Sequence, residues 1–137
     1  MEDYRKRIER EVKVVDRRVK VKALDDGVAR RRAEGEALWK QLPDPCWVIA
    51  LDRRGKTSSS EEMASLWKRL REEWSHPVAF LIGSDLGLDP DVLGRARQRL
   101  SFGPMTFGHE LARLMLYEQI YRMIAIDRGI KYHRQPF

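Results

Sequence analysis

The sequence predicts an α/β fold, a mostly parallel sheet with flanking helices. Two short apolar runs, Trp47-Val48-Ile49-Ala50-Leu51 and Val78-Ala79-Phe80-Leu81-Ile82, have the length of strands and lack the alternation of a half-exposed strand, as buried parallel strands do. Between them Met63, Leu66, Trp67, Leu70 and Trp74 recur at helical spacing, which makes a strand, helix, strand unit. The connections are short, and such alternation builds a sheet whose ligands gather at the carboxyl ends of its strands.

Taken in order, residues from Met1 to about Arg10 read as a first helix. From Val12 to Ala23 valine alternates with lysine or arginine over part of the length, the pattern of an edge strand. A second helical pattern runs through Arg30-Arg31-Arg32, Glu34, Glu36, Ala37, Leu38 and Leu42, and Pro43 stops it. After the first apolar run, Ser58-Ser59-Ser60-Glu61-Glu62 supplies cap residues and early acidic charge for the central helix. Asp89-Pro90-Asp91 begins another helix, expected to carry Val92, Leu93 and Ala96 toward Arg99. Leu100-Ser101-Phe102 reads as a short strand before a Gly103-Pro104 turn. The last helix extends from about His109 to Arg128, where Gly129 offers a left-handed stop. Its apolar residues Leu111, Leu114, Leu116, Ile120, Met123, Ile124 and Ile126 cover more than one face, which exceeds what packing on one sheet requires. A helix-mediated dimer interface is the corresponding expectation.

A chain of 137 residues closes one hydrophobic core and does not divide comfortably into two, so a single domain is expected. Hydrophobic content of 42% places it among globular chains, and the 35% of charged residues decorates a surface. Lys and Arg number 27 against 21 acidic residues, a net charge of +6 that favours a polyanionic partner such as RNA or an anionic membrane surface, with solubility as the plainer explanation. One cysteine, Cys46, excludes an intrachain disulfide and a multi-cysteine zinc site, and three scattered histidines do not make a metal site. With no signal-like or membrane-spanning run, the expected location is the cytoplasm.

Four segments carry residues suited to chemistry. Leu81-Ile82-Gly83-Ser84-Asp85-Leu86-Gly87-Leu88 puts two glycines directly after a buried strand, where main chain without Cβ can approach a ligand; a strand-to-helix turn accounts for the pair as well as a cofactor loop does. Phe102-Gly103-Pro104-Met105-Thr106-Phe107-Gly108 feeds a helix whose free amides could receive a polar group, and a buried crossover is the alternative. On the last helix His109 and Arg113 share a face, while Glu118 and Arg122 repeat the spacing and read as an ordinary ion pair. The chain ends Lys131-Tyr132-His133-Arg134-Gln135-Pro136-Phe137, where aromatic, imidazole and guanidinium groups suit stacking on bases and contact with phosphate; a frayed polar tail is the alternative.

Together these segments resemble the SPOUT-class family of 23S ribosomal RNA pseudouridine N3-methyltransferases over nearly the whole chain. The resemblance is carried by Leu51-Asp52, Gly55-Lys56, Ser58-Ser59, Leu81-Ile82-Gly83, Gly87-Leu88, Leu100 to Thr106, His109-Glu110-Leu111-Ala112-Arg113, Glu118-Gln119-Ile120-Tyr121-Arg122 and Tyr132-His133-Arg134, in family order. It implies a C-terminal trefoil knot that binds S-adenosylmethionine in a bent conformation, and a homodimer with active sites at its interface. Leu51, Gly83, Phe102, Gly103, Pro104, Met105, Thr106 and Phe107 are then the expected cofactor contacts, and Tyr132, His133 and Arg134 the RNA-binding tail. The implied reaction moves a methyl group to ring N3 of a pseudouridine in 23S ribosomal RNA, in the large subunit or assembled ribosome. That nitrogen must lose its proton, so a positioned acceptor is required; His133 is assigned that role or orientation of the base, with Arg113 and Arg134 as phosphate or base contacts.

This chain departs from the family pattern in three places. Ser84 stands where the family usually has a second glycine, which predicts strain if that position needs positive φ. Gly108 stands where proline is usual, which predicts a looser entry to the last helix. The family begins with an apolar strand and turn, whereas this chain opens at Met1-Glu2-Asp3-Tyr4-Arg5 within the first helix, so the resemblance implies a single SPOUT domain over 1–137, shortened at its N-terminus. The alternative is a non-catalytic protein that keeps the fold and binds RNA or the ribosome, and affinity for S-adenosylmethionine separates the two.

Overall fold

A computed structural model describes residues 1–22 and 25–132. Its elements in chain order are α1 (Glu2–Glu9), α2 (Gly27–Lys40), β1 (Trp47–Thr57), α3 (Ser60–Glu73), β2 (Val78–Leu81), α4 (Pro90–Arg95), β3 (Gln98–Ser101) and α5 (His109–Arg128). They form two compact units: α1, α3 and nearly all of α5 make one, and α2, α4 and the three strands make the other.

The sheet has the order β2-β1-β3 and both pairings are parallel, as the apolar runs require. Trp47 to Ala50 lie opposite Val78 to Leu81, and Ile49 to Leu51 lie opposite Gln98 to Leu100. As the central strand, β1 is covered on both faces, and Val48, Ile49 and Ala50 are buried one after another. Val48 and Ala50 join Leu81, Leu88 and Val92 in a core against which Leu38, Trp39 and Leu42 of the α2 region pack. Each buried aliphatic side chain stabilises the unit by about 1.5–3 kcal/mol, so this cluster outweighs any surface ion pair.

β1 runs past the expected Leu51 to Thr57, but not evenly, since Leu51 and Lys56 both lie opposite Leu100. Gly55 sits in that irregular stretch, where a Cβ would come 2.6 Å from the Arg99 carbonyl oxygen, so side-chain-free backbone lets the strands approach. The expected run of the Asp89 helix toward Arg99 is corrected: α4 ends at Arg95, Ala96 turns extended, and the Arg97 N–H donates to Val48 O at 2.8 Å. Pairing of β3 with β1 from Gln98 onward overrides the local helical preference.

The edge strand expected over Val12 to Ala23 is also corrected, because residues 12–22 belong to no strand. Alternation prepares a segment for pairing but supplies no neighbour, and none of the three described strands pairs with it. Side chains anchor it instead: Asp16 accepts hydrogen bonds from Arg113 and Tyr117, and Arg17 Nη1 donates to Gln41 Oε1 at 3.1 Å.

In the helical unit α3 starts with a complete capping box, in which Ser59 Oγ accepts from the Glu62 N–H and Glu62 Oε1 accepts from the Ser59 N–H, each at 3.0 Å. α5 buries Leu116, Tyr117, Met123, Ile124 and Ala125. It ends as expected at Gly129, whose φ of 71° lets the Gly129 N–H reach Ile126 O and the Ile130 N–H reach Ala125 O, satisfying two terminal carbonyls. No helix among the described residues is long and apolar enough to cross a membrane.

Candidate active site

Because the three strands are parallel, their carboxyl ends share one edge of the sheet, and the sequence-predicted cofactor residues fall there. Leu51 pairs with Leu100 near the end of β1's regular part, Gly83 lies two residues past the end of β2, and Phe102 to Phe107 follow β3. Gly83 is needed for close approach, since a Cβ there would lie 2.5 Å from the Gly87 carbonyl carbon and 2.7 Å from the Leu88 nitrogen. Across this turn the Gly87 N–H donates to Ser84 O at 2.9 Å, and Gly87 takes the left-handed conformation with φ of 78°. Ser84 is not strained, contrary to the concern its departure raises, because no described non-glycine residue has positive φ.

The loop after β3 is fixed at its root and open beyond. Ser101 Oγ accepts from the Gly103 N–H at 3.0 Å and lies 2.9 Å from Arg53 O, so one buried hydroxyl joins the loop to β1. From there Gly103 has φ of 114°, and Met105 is 71% exposed. Among the described residues the main-chain N–H groups of Met105, Thr106 and Phe107 meet no hydrogen-bond partner. A cofactor with a purine ring and a carboxylate, such as S-adenosylmethionine, hydrogen-bonds to main-chain groups of this kind, so the donors of this loop are chemically compatible with it. α5 starts at His109 directly after Gly108, so the absent proline does not delay the helix. Among the described residues no group of three His, Cys, Asp or Glu could hold a metal.

In the helical unit Arg113 forms a cluster that sequence reasoning missed in part. Its Nη2 donates to Asp16 Oδ2, which also accepts from the Tyr117 hydroxyl, and its guanidinium lies 5.8 Å from the Tyr117 ring centroid. Burial alone would raise the Asp16 carboxyl, but the hydrogen bonds from Tyr117 and Arg113 and the charges of Arg113 and Arg5 outweigh it and hold Asp16 below its ordinary value. Burial, then the Asp16 hydrogen bond and charge, push the Tyr117 phenol up to about 12. Arg113 is thus held in place, with 22% of its side chain exposed.

Tyr132 is engaged as well. Its hydroxyl lies 3.1 Å from that of Tyr4 and donates to Glu118 Oε1 at 3.2 Å, its ring meets Tyr121 edge-on at 4.8 Å, and Arg122 covers it at 4.8 Å. Arg122 Nε donates to Glu118 Oε1 at 2.9 Å, so the expected ion pair is present and serves as the platform for Tyr132. His133 and Arg134 lie outside the described residues.

Comparison with known proteins agrees with this geometry. The model of a family described as predicted SPOUT methyltransferase matches residues 1–133. A protein named ribosomal RNA large subunit methyltransferase H from Desulfotalea psychrophila is 41% identical over 134 residues, 98% of this chain and 88% of that protein. Proteins of the same name from Alkaliphilus oremlandii and Pelotomaculum thermopropionicum are 47% and 50% identical over 76% and 75% of this chain. Those two alignments span 65% and 64% of the relatives' own length, just under two thirds. A parallel α/β sheet with glycine and loop segments at its carboxyl edge, matched by the family model from end to end of the described chain, places this protein in the SPOUT methyltransferase family.

Proposed function

We propose that residues 1–137 act as a single methyltransferase domain that moves the methyl group of S-adenosylmethionine to ring N3 of a pseudouridine in 23S ribosomal RNA, as a cytoplasmic homodimer. The observation that carries the reading is the gathering of Leu51, Gly83 and the Phe102 to Phe107 loop at one sheet edge, where loop amides meet no partner among the described residues. The substrate is taken from the relatives, which are named as methyltransferases of large-subunit ribosomal RNA. A net charge of +6 suits the phosphate backbone of that RNA.

When bound, S-adenosylmethionine supplies an electrophilic methyl group on a sulfonium. The protein's part would be to hold it, within the trefoil knot that the family resemblance implies, to bring the target base in line, and to remove the ring proton. In this reading Gly83 and the main chain of Phe102, Gly103, Pro104, Met105, Thr106 and Phe107 bind the cofactor beside Leu51. His133 accepts the N3 proton. Arg113, oriented by Asp16, and Arg134 contact phosphate or base, and Tyr132 sets the root of the RNA-binding tail against α5. Leu111 and Leu114, 50% and 36% exposed and three residues apart on α5, support a dimer formed through this helix. A non-catalytic role would leave the open, glycine-bordered edge without a purpose.

The test is transfer of labelled methyl from S-adenosylmethionine to ribosomes lacking the modification, followed by mapping of the labelled nucleotide. Incorporation at N3 of one pseudouridine in 23S ribosomal RNA is the expected result. Cofactor binding with no transfer to free subunits or whole ribosomes would overturn the substrate assignment.

A further inference from the structure

The turn that carries Gly83 is gripped from outside the sheet by two side chains of α2. Ser84 Oγ donates to Glu34 Oε1 at 2.7 Å and accepts from the Leu86 N–H at 3.3 Å. One residue on, Asp85 Oδ1 accepts from Arg30 Nη2 at 2.8 Å, and Arg30 Nε lies 3.6 Å from Glu34 Oε2. Arg30 and Glu34 are four residues apart and so share a face of α2. The next residue, Gly35, brings the helix onto the start of α4: a Cβ there would come 3.0 Å from both Asp89 Cβ and Val92 Cγ2. α2 therefore touches both ends of the segment from Ser84 to Val92, although it contributes nothing to the sheet.

We propose that Glu34, and secondarily Arg30, are positioning residues of the cofactor site, which through Ser84 and Asp85 hold the turn after β2 in the shape that presents the Gly83 main chain to S-adenosylmethionine. The proposal rests on the reading of Gly83 as a cofactor contact. Its physical basis is the freedom of the turn. With glycine at both ends and one internal main-chain hydrogen bond, the Gly83 to Gly87 segment loses much conformational entropy on ordering, and side-chain tethers at consecutive residues offset that loss. The two tethers are unequal. Asp85 has 77% of its side chain exposed, so water screens its pair with Arg30. Glu34 is 20% exposed and its carboxylate takes a charge-assisted hydrogen bond from Ser84, the stronger kind.

The experiment is calorimetric titration of the full chain and its variants with S-adenosylmethionine and S-adenosylhomocysteine, with thermal midpoints recorded for each. Ser84→Ala and Glu34→Ala are each expected to weaken both ligands about five- to tenfold, within the net worth of one typical intramolecular hydrogen bond. The double variant should be no weaker than either single one, because both remove the same bond. Glu34→Gln keeps an acceptor oxygen and should recover binding to within about threefold, and Asp85→Ala should stay within about twofold. A purely structural role for Glu34 would give additive losses that follow the thermal midpoint, without rescue by glutamine, and would overturn the proposal. So would wild-type affinity in Ser84→Ala and Glu34→Ala. Failure of the unaltered chain to bind either ligand would instead overturn the cofactor reading, and the proposal with it.

Discussion

Asp16 shows how a single carboxylate organises residues far apart in sequence. It lies 97 residues from Arg113, in a stretch whose alternation reads as strand, so no local signal marks it, whereas Arg113 is legible from its place on the face of a helix. Its carboxyl is held below the ordinary value of 3.8, so its contribution to stability is complete above that value and is lost as pH falls through the lower folded value. Asp16→Asn should therefore cost about 2 kcal/mol at pH 7, and the difference from the parent should begin to close only below the ordinary value of 3.8 and shrink further as pH falls, as followed by urea unfolding. Gly83 is the opposite case, singled out in the sequence by its place after a strand but explained only by the 2.5 Å a Cβ would leave to Gly87. Gly83→Ala should displace that turn at a cost of about 1–3 kcal/mol, read as weaker S-adenosylmethionine binding. His133→Ala, by contrast, should lower turnover about 100-fold or more while leaving cofactor affinity unchanged, as loss of a general base does. Full turnover by that variant would assign the proton to another acceptor.

Elements were legible where their signals are local. The capping box of Ser59 and Glu62, the Asp89 cap with Pro90 behind it, and the Gly129 stop each act within a few residues, and each sits at the expected helix end. Elements that depend on a distant neighbour were not. Residues 12–22 alternate without pairing, α4 gives way to β3 because β1 claims the chain from Gln98, and β1 continues past Leu51 through an irregular pairing with Leu100. The helix stop can be tested at this scale. Gly129→Ala forces a Cβ into a φ of 71° and should lower stability by about 1 kcal/mol, visible as a lower thermal midpoint with α5 otherwise intact. An unchanged midpoint would mean that the last turn does not depend on the left-handed residue.

For the whole molecule, composition pointed to a polyanionic partner, and the match of the family model over residues 1–133 turns a general basic character into a methyltransferase of a definite class. Charge alone could not separate RNA from an anionic membrane surface, because net charge carries no chemistry of its own. The proposal of RNA comes from the relatives, which are named as methyltransferases of large-subunit ribosomal RNA. If α5 forms the dimer, Leu111→Glu together with Leu114→Glu should give a monomer by sedimentation and lose methyl transfer, since charged residues at the centre of an apolar interface prevent association. The central claim, that the carboxyl edge of the sheet holds S-adenosylmethionine, is tested most directly by calorimetric titration of the purified chain with that compound. Saturable binding that Gly83→Ala weakens is the result this structure predicts; no heat of binding from the unaltered, folded chain would contradict it.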